Sequence, residues 1–198
     1  VKEVFMRAVK LLAPGVLELG RLPDPGAAGA ATVRVDVSAC GVCGSDLALY
    51  NGRRDLSGEH YFGHEFSGVI TQAGGGANGL RPGMRVASEV SRACGHCWYC
   101  KKGLVNLCEH HKMLGTHYPG GYAQYIALPG EVLRRGFVEL IPEGMSYEHA
   151  AFAETCSGVV ACQERVSVTL GSNVVIIGDG PVGCIHCETA RARGAVNV

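Results

Sequence analysis

The sequence predicts a mixed architecture, an all-β domain over residues 1–150 followed by the opening of an α/β domain over residues 151–198. Three observations carry that expectation. Apolar residues alternate with period two through roughly the first 145 residues, glycine-rich turns separate the alternating runs, and from Ser146 the pattern changes to helical periodicity followed by a strand–glycine–helix order.

Taken in order, TVRVDVSA (32–39) places Val33, Val35 and Val37 on one face, as a half-buried strand requires. EFSGVITQA (65–73), MRVASEV (84–90) and YAQYIAL (122–128) read as further strands, and GGGANG (74–79) reads as a flexible turn. SYEHAAFAETCSGVVACQERV then predicts mostly helix from a serine cap at Ser146. NVVII predicts a strand, GDG a tight turn, PVGCIHCETARARG a helix, and AVNV the start of a second strand. No internal repeat is visible.

Composition narrows the function. The 198 residues are 47% hydrophobic, and 18 basic residues balance 18 acidic ones with no run of like charge. That balance gives no electrostatic reason to expect nucleic acid or an anionic membrane as partner and suits small uncharged ligands. The longest apolar stretches, such as VVIIG (174–178), fall short of the ~18 residues a membrane span needs. The start VKEVFMRAVK lacks the apolar centre of a signal peptide, so a cytoplasmic location is expected. In that setting ten cysteines point to metal ligands or reduced thiols rather than a disulfide framework.

CGHCWYCKKGLVNLC (94–108) supplies four thiols, Cys94, Cys97, Cys100 and Cys108, on loops short enough to converge on one tetrahedral zinc. Four sulfurs close the coordination shell. Such an ion binds no substrate, and its expected work is to stiffen a lobe over about residues 92–112. Only Arg92, Lys101 and Lys102 lie nearby and no aromatic stacking platform is evident, which argues against a nucleic-acid module.

A catalytic zinc instead needs three protein ligands and an open position. Three segments offer isolated ligands at strand ends or turns. SACGVCGSDLALYNG gives Cys43 with Ser45 and Asp46, YFGHEFSG gives His64 followed by Glu65, and AFAETCSGV gives Glu154 with Cys156 as a competitor. Their wide separation leaves spacing alone uninformative.

Gly178, Gly180 and Gly183 form G-x-G-x-x-G directly after NVVII and at the start of a predicted helix, with Pro181 suited to its first turn and Val182 beside it. In that context the glycines permit a tight turn and the approach of a dinucleotide pyrophosphate to the helix N-terminus. The residue that would choose between NAD and NADP falls ~20 residues beyond the fingerprint, past Val198. With one strand and one helix, this part is expected to be a fragment of a longer Rossmann domain.

GVCGSD, GHEFSG, the four-cysteine lobe and VVIIGDGPVG together resemble the zinc-dependent medium-chain alcohol and polyol dehydrogenases, in that family's order and across essentially the whole chain. The resemblance implies a GroES-like catalytic domain joined to a Rossmann domain, two zinc ions per chain, and NAD or NADP. It implies Cys43, His64 and Glu154 as ligands of the catalytic zinc, Glu65 as a neighbouring or alternative ligand, and Asp46 as an orienting partner. In the sorbitol-like branch a proline follows the third ligand, whereas Thr155 stands here; family register favours Glu154 over Cys156.

The implied reaction moves a hydride between a secondary alcohol, a polyol or sugar alcohol, and NAD(P). Ser45 is expected to take the hydroxyl proton. Family members commonly carry histidine three residues later, and Ala48 stands there, so the relay must pass through water, the cofactor ribose or another side chain. Homo-oligomerisation of the longer protein is a further expectation. The rivals are a threonine-dehydrogenase-like activity and a non-enzymatic, zinc-stabilised GroES-like scaffold.

Several residues carry less. Cys184 and Cys187 flank His186 within a predicted helix, where i and i+3 share a packing face. Cys40 makes a second C-x-x-C with Cys43, and His110 and His111 read as solvated lobe residues. Leu47, Tyr50, Trp98 and Tyr118 are candidates for a substrate cleft with no basis for ranking them.

Overall fold

The computed structural model describes residues 5–24, 32–54, 60–89, 91–135 and 138–198. They form two compact units, one running to Phe152 and the other from Ala153.

The first unit opens with a hairpin that the alternation did not announce. β1 (Phe5–Ala13) and β2 (Val16–Pro23) pair antiparallel across Pro14 and Gly15, and Gly15 adopts φ 78°, a left-handed conformation that favours glycine. β3 (Thr32–Cys40) leads into helix α1 (Gly44–Tyr50), and β4 (His60–Tyr61) adds to β1. β5 (Phe66–Ala73) and β6 (Arg85–Ser88) follow, then the short pair β7 (Ser91–Arg92) and β8 (Lys112–Met113). Between those two lie α2 (Trp98–Lys101) and a 3-10 turn at Val105–Leu107. β9 (Tyr125–Pro129), α3 (Gly130–Arg135) and β10 (Val138–Leu140) complete an antiparallel five-stranded sheet of order β10-β6-β5-β3-β9.

Its core follows from the alternation. Val33 and Val35 of β3 are fully buried against Phe66 and Ile70 of β5, Val86 of β6, and Ile126 and Leu128 of β9. Each such side chain contributes about 1.5–3 kcal/mol by leaving water. The strand expected from residue 122 begins instead at Tyr125. Tyr122 and Gln124 donate their N–H groups to Phe62 O and Arg7 O, and their carbonyls accept from Val9 and Val37. This segment therefore stitches the hairpin to the main sheet, and the ladder starts after it.

The cysteine lobe has no aliphatic core of its own; its buried cluster among the described residues is Cys94, Cys97 and Cys108. It is tied to the sheet by an ion pair between Arg92 of β7 and Glu131 of α3, whose carboxylate also accepts from the Tyr118 hydroxyl.

α4 (Tyr147–Ala151) is capped as expected, with Ser146 Oγ accepting from His149 N at 3.1 Å. The predicted single helix is two, because Phe152 separates α4 from α5 (Ala153–Arg165). In the second unit, Gln163 packs α5 onto α6 (Pro181–Ala192), its amide donating to His186 O at 2.8 Å. The strand expected at NVVII does not form a ladder. Its one bridge is Asn173 to Asn197, and Val175 and Ile177 are 88% and 98% exposed. An extended segment becomes a strand only when a neighbour takes its hydrogen bonds, and AVNV supplies that partner only around Asn197. Among the described residues no helix is long and apolar enough to cross a membrane.

Candidate functional site

Register builds the site. The last pair of the β3–β5 ladder is Cys40 opposite Phe66, so the chain leaving β3 and the chain entering β5 run on side by side. Gly41 N donates to Glu65 O at 2.8 Å, extending that pairing by one bond. Cys43 thereby comes beside His64 and Glu65, and the thiol, a ring nitrogen and a carboxylate oxygen all lie within 4.8 Å of one another. His64 and Glu65 are buried, at 8% and 5% exposure, and Cys43 is half-buried.

Two glycines make room. A Cβ on Gly41 would collide with the Glu65 carboxylate, and Gly63, at φ 88°, would bring one against Tyr122 N and Cys40 Sγ. The GH of GHEFSG is therefore a packing requirement as well as a ligand signal.

Asp46 organises the cluster. Cys43 is the N-cap of α1, and Asp46, in the first helical turn, accepts the Cys43 N–H on Oδ2 at 3.0 Å. Its other oxygen, Oδ1, faces His64 Nδ1 at 3.7 Å. That separation is longer than a direct hydrogen bond, and the carboxylate beside the ring biases the imidazole's orientation electrostatically. The donor set of soft sulfur, imidazole and carboxylate fits zinc, and three side chains leave a fourth position open. Cys40 stands apart from this set. Burial, with Asp46 and Glu65 adding to it, pushes its thiol up to about 12, so it remains protonated.

The lobe cysteines meet a sharper geometric test. A tetrahedral zinc with Zn–S of about 2.3 Å requires sulfurs about 3.8 Å apart. Cys94 and Cys100 sulfurs are 3.9 Å apart and those of Cys97 and Cys108 are 4.0 Å apart, with all four within 4.8 Å. Desolvation raises the Cys94 thiol, but the N–H groups of His96 and Cys97 outweigh it and hold it at about 6. The Cys100 N–H pulls Cys97 down, whereas desolvation pushes Cys100 itself up to about 12. A divalent cation is what allows such a set to ionise together.

The remaining candidates are distributed. Ser45 follows Cys43 by two residues in the first turn of α1, half-buried, and Ala48 lies one turn further on. Glu154 and Cys156 belong to the second unit, both half-buried on α5, and burial raises the Cys156 thiol. In that unit Gly180 caps α6 and Pro181 occupies its first turn, with Val182 exposed beside it. Gly178 takes φ 132°, and a Cβ on Gly183 would strike the Gly178 carbonyl. The glycines thus let the helix start close against the chain before it. Cys184 and Cys187 lie within α6 as expected. Tyr122 escaped the sequence reading: its hydroxyl lies 3.0 Å from Asp46 Oδ2, from a position 76 residues away that no local motif marks.

Comparison with known proteins gives the family. Residues 29–135 match the alcohol dehydrogenase GroES-like domain. The chain is 35% identical over 173 residues to a sorbitol dehydrogenase of Halalkalibacterium halodurans, covering 87% of the chain and 49% of that protein. It is 39% identical over 168 residues to a sorbitol dehydrogenase of Bacillus subtilis, covering 82% and 46%. A candidate zinc-binding dehydrogenase of Sinorhizobium meliloti, solved bound to NADP, superposes with a TM-score of 0.88 at 31% identity, covering 98% of the chain and 55% of that structure. The chain therefore spans about half the length of the curated relatives it matches.

Proposed function

The chain belongs to the zinc-dependent medium-chain alcohol and polyol dehydrogenases, and from that premise we propose that the protein containing it transfers a hydride between a polyol or sugar alcohol and NAD(P). The observation that carries this is the convergence of Cys43, His64 and Glu65 on one buried point, with Asp46 behind them. Sugar-alcohol relatives favour this substrate class over an amino-acid alcohol, and the three-ligand cluster favours an enzyme over a scaffold.

Cys43 and His64 would hold the zinc, and within the first unit Glu65 is the acid beside them; Glu154, the third ligand that the family resemblance implies, lies on α5 of the second unit. Zinc there lowers the pKa of an alcohol hydroxyl or polarises a carbonyl. Asp46 keeps the His64 ring turned, and its hold on the Cys43 N–H anchors the start of α1. Ser45 receives the hydroxyl proton and passes it on, because a serine hydroxyl does not hold an extra proton at neutral pH; Ala48 offers no next group, so the proton leaves through water, the cofactor ribose or another side chain. Gly178, Gly180, Pro181, Val182 and Gly183 cradle the dinucleotide pyrophosphate at the N-terminus of α6. Cys94, Cys97, Cys100 and Cys108 hold a second, structural zinc. The family resemblance extends the proposal to a homo-oligomeric, cytoplasmic protein with a small alcohol or carbonyl as its partner.

The test is nicotinamide reduction by the longer protein supplied with sorbitol or a related polyol. His64→Ala should abolish turnover while the lobe keeps its zinc, and Ser45→Ala should depress turnover and shift its pH dependence. Turnover by His64→Ala equal to the parent would contradict the assignment.

A further inference from the structure

Tyr122 belongs to no ligand motif, yet the network behind the metal cluster ends on it. Its backbone is pinned from both sides, the N–H donating to Phe62 O at 3.0 Å and the carbonyl accepting from Val9 N at 2.8 Å. Its ring packs edge-on against Phe62, centroids 6.5 Å apart, beside Leu11 and Leu49. With backbone and ring both fixed, the hydroxyl has one place to reach.

That place is the gap between the β3–α1 turn and Asp46. The hydroxyl lies 2.8 Å from Gly41 O and 3.0 Å from Asp46 Oδ2. One proton serves two acceptors, and an ionised carboxylate makes the stronger, charge-assisted bond. Burial, and then the Asp46 charge, push the phenol's pKa upward, so it stays a donor. Asp46 Oδ2 accepts from the Cys43 N–H as well. Two donors on one oxygen fix the carboxylate plane and leave Oδ1 directed at His64 Nδ1.

We propose that Tyr122 is a positioning residue for the Cys43–His64–Glu65 cluster: its hydroxyl locks the Asp46 carboxylate, which holds the Cys43 end of α1 and aligns His64 for a divalent transition cation. The inference rests on reading that cluster as a metal site. A tyrosine that merely filled space would exchange for phenylalanine without consequence, since the ring packing against Phe62 is unchanged by losing one oxygen.

The experiment uses the whole chain, stripped of metal and titrated with zinc against a competing chelator, the four-cysteine lobe serving as internal control for folding. Direct partners of a ligating histidine are worth roughly 10–100-fold in metal affinity, so Tyr122→Phe, one link further out, should weaken the cluster by roughly 3–10-fold and leave the lobe unchanged. Nitrogen NMR of the His64 ring should show the Nδ1–H tautomer in the parent and a mixture in Tyr122→Phe. Asp46→Asn should lose more, and adding Tyr122→Phe to it should cost nothing further. Parental affinity and tautomer in Tyr122→Phe, or losses that add fully in the double variant, would overturn the inference while sparing the zinc reading. A parent chain that takes up only the lobe's ion overturns the zinc reading itself, and this inference with it.

Discussion

A Cβ on Gly41 would fall on the Glu65 carboxylate, so alanine there must displace either the turn after β3 or the acid itself. Gly41→Ala is expected to destabilise the fold by about 1–3 kcal/mol, as overpacking of a closed site does, and to weaken zinc at the Cys43 cluster while sparing the lobe. Urea unfolding and metal titration of the same sample check both. At this scale the candidate ligands Cys43 and His64 could be picked out, because thiol and imidazole carry their chemistry in their side chains; for the acid, family register favours Glu154, and Glu65, the alternative, is the one that lies beside them. Gly41 and Tyr122 were not legible. A glycine signals only the absence of a clash, and one tyrosine among seven gains meaning only when the segment ahead of β9 is seen hydrogen-bonded to Phe62 and Val9.

Elements show how the lobe is held. Tyr118 and Arg92, both hydrogen-bonded to Glu131, hold its carboxyl below the usual carboxylate range. A depressed folded pKa means that the stabilisation is present above the unfolded value, near 4.5, and is lost as pH falls through the lower folded value. Stability should therefore fall on acidification below about pH 4.5, and Glu131→Gln should flatten that fall, read as urea midpoints at neutral and acid pH. The lobe itself, lacking aliphatic packing, should lose order when Cys97→Ala removes its ion. Hydrogen exchange should then rise across residues 92–112 and stay low in β3 and β5. Strands with strict alternation, such as β3, could be read in advance, because Val33 and Val35 must share a buried face. The β1–β2 hairpin could not, because Leu17 and Leu19 are exposed at 53% and 71% and blur the period. NVVII misled in the other direction, its apolar run announcing a strand whose ladder is missing beyond Asn173.

On the scale of the whole molecule, the β3–β5 ladder is both core and frame for the site. Ile70 is 1% exposed within it, and Ile70→Ala should cost about 2–5 kcal/mol by denaturant unfolding. The overall order of an all-β part and a later glycine turn with a helix was visible in composition and period. What the sequence could not give was register: that Cys40 opposes Phe66 is what turns residues 43 and 64 into neighbours. The same geometry separates a closed set of four sulfurs from an open set of three mixed ligands, and the account stands on that difference. Native mass spectrometry of the zinc-loaded chain tests it most directly. Two zinc ions on the parent, and one each on His64→Ala and Cys97→Ala, is the predicted result; a parent chain carrying a single ion that His64→Ala retains would contradict it.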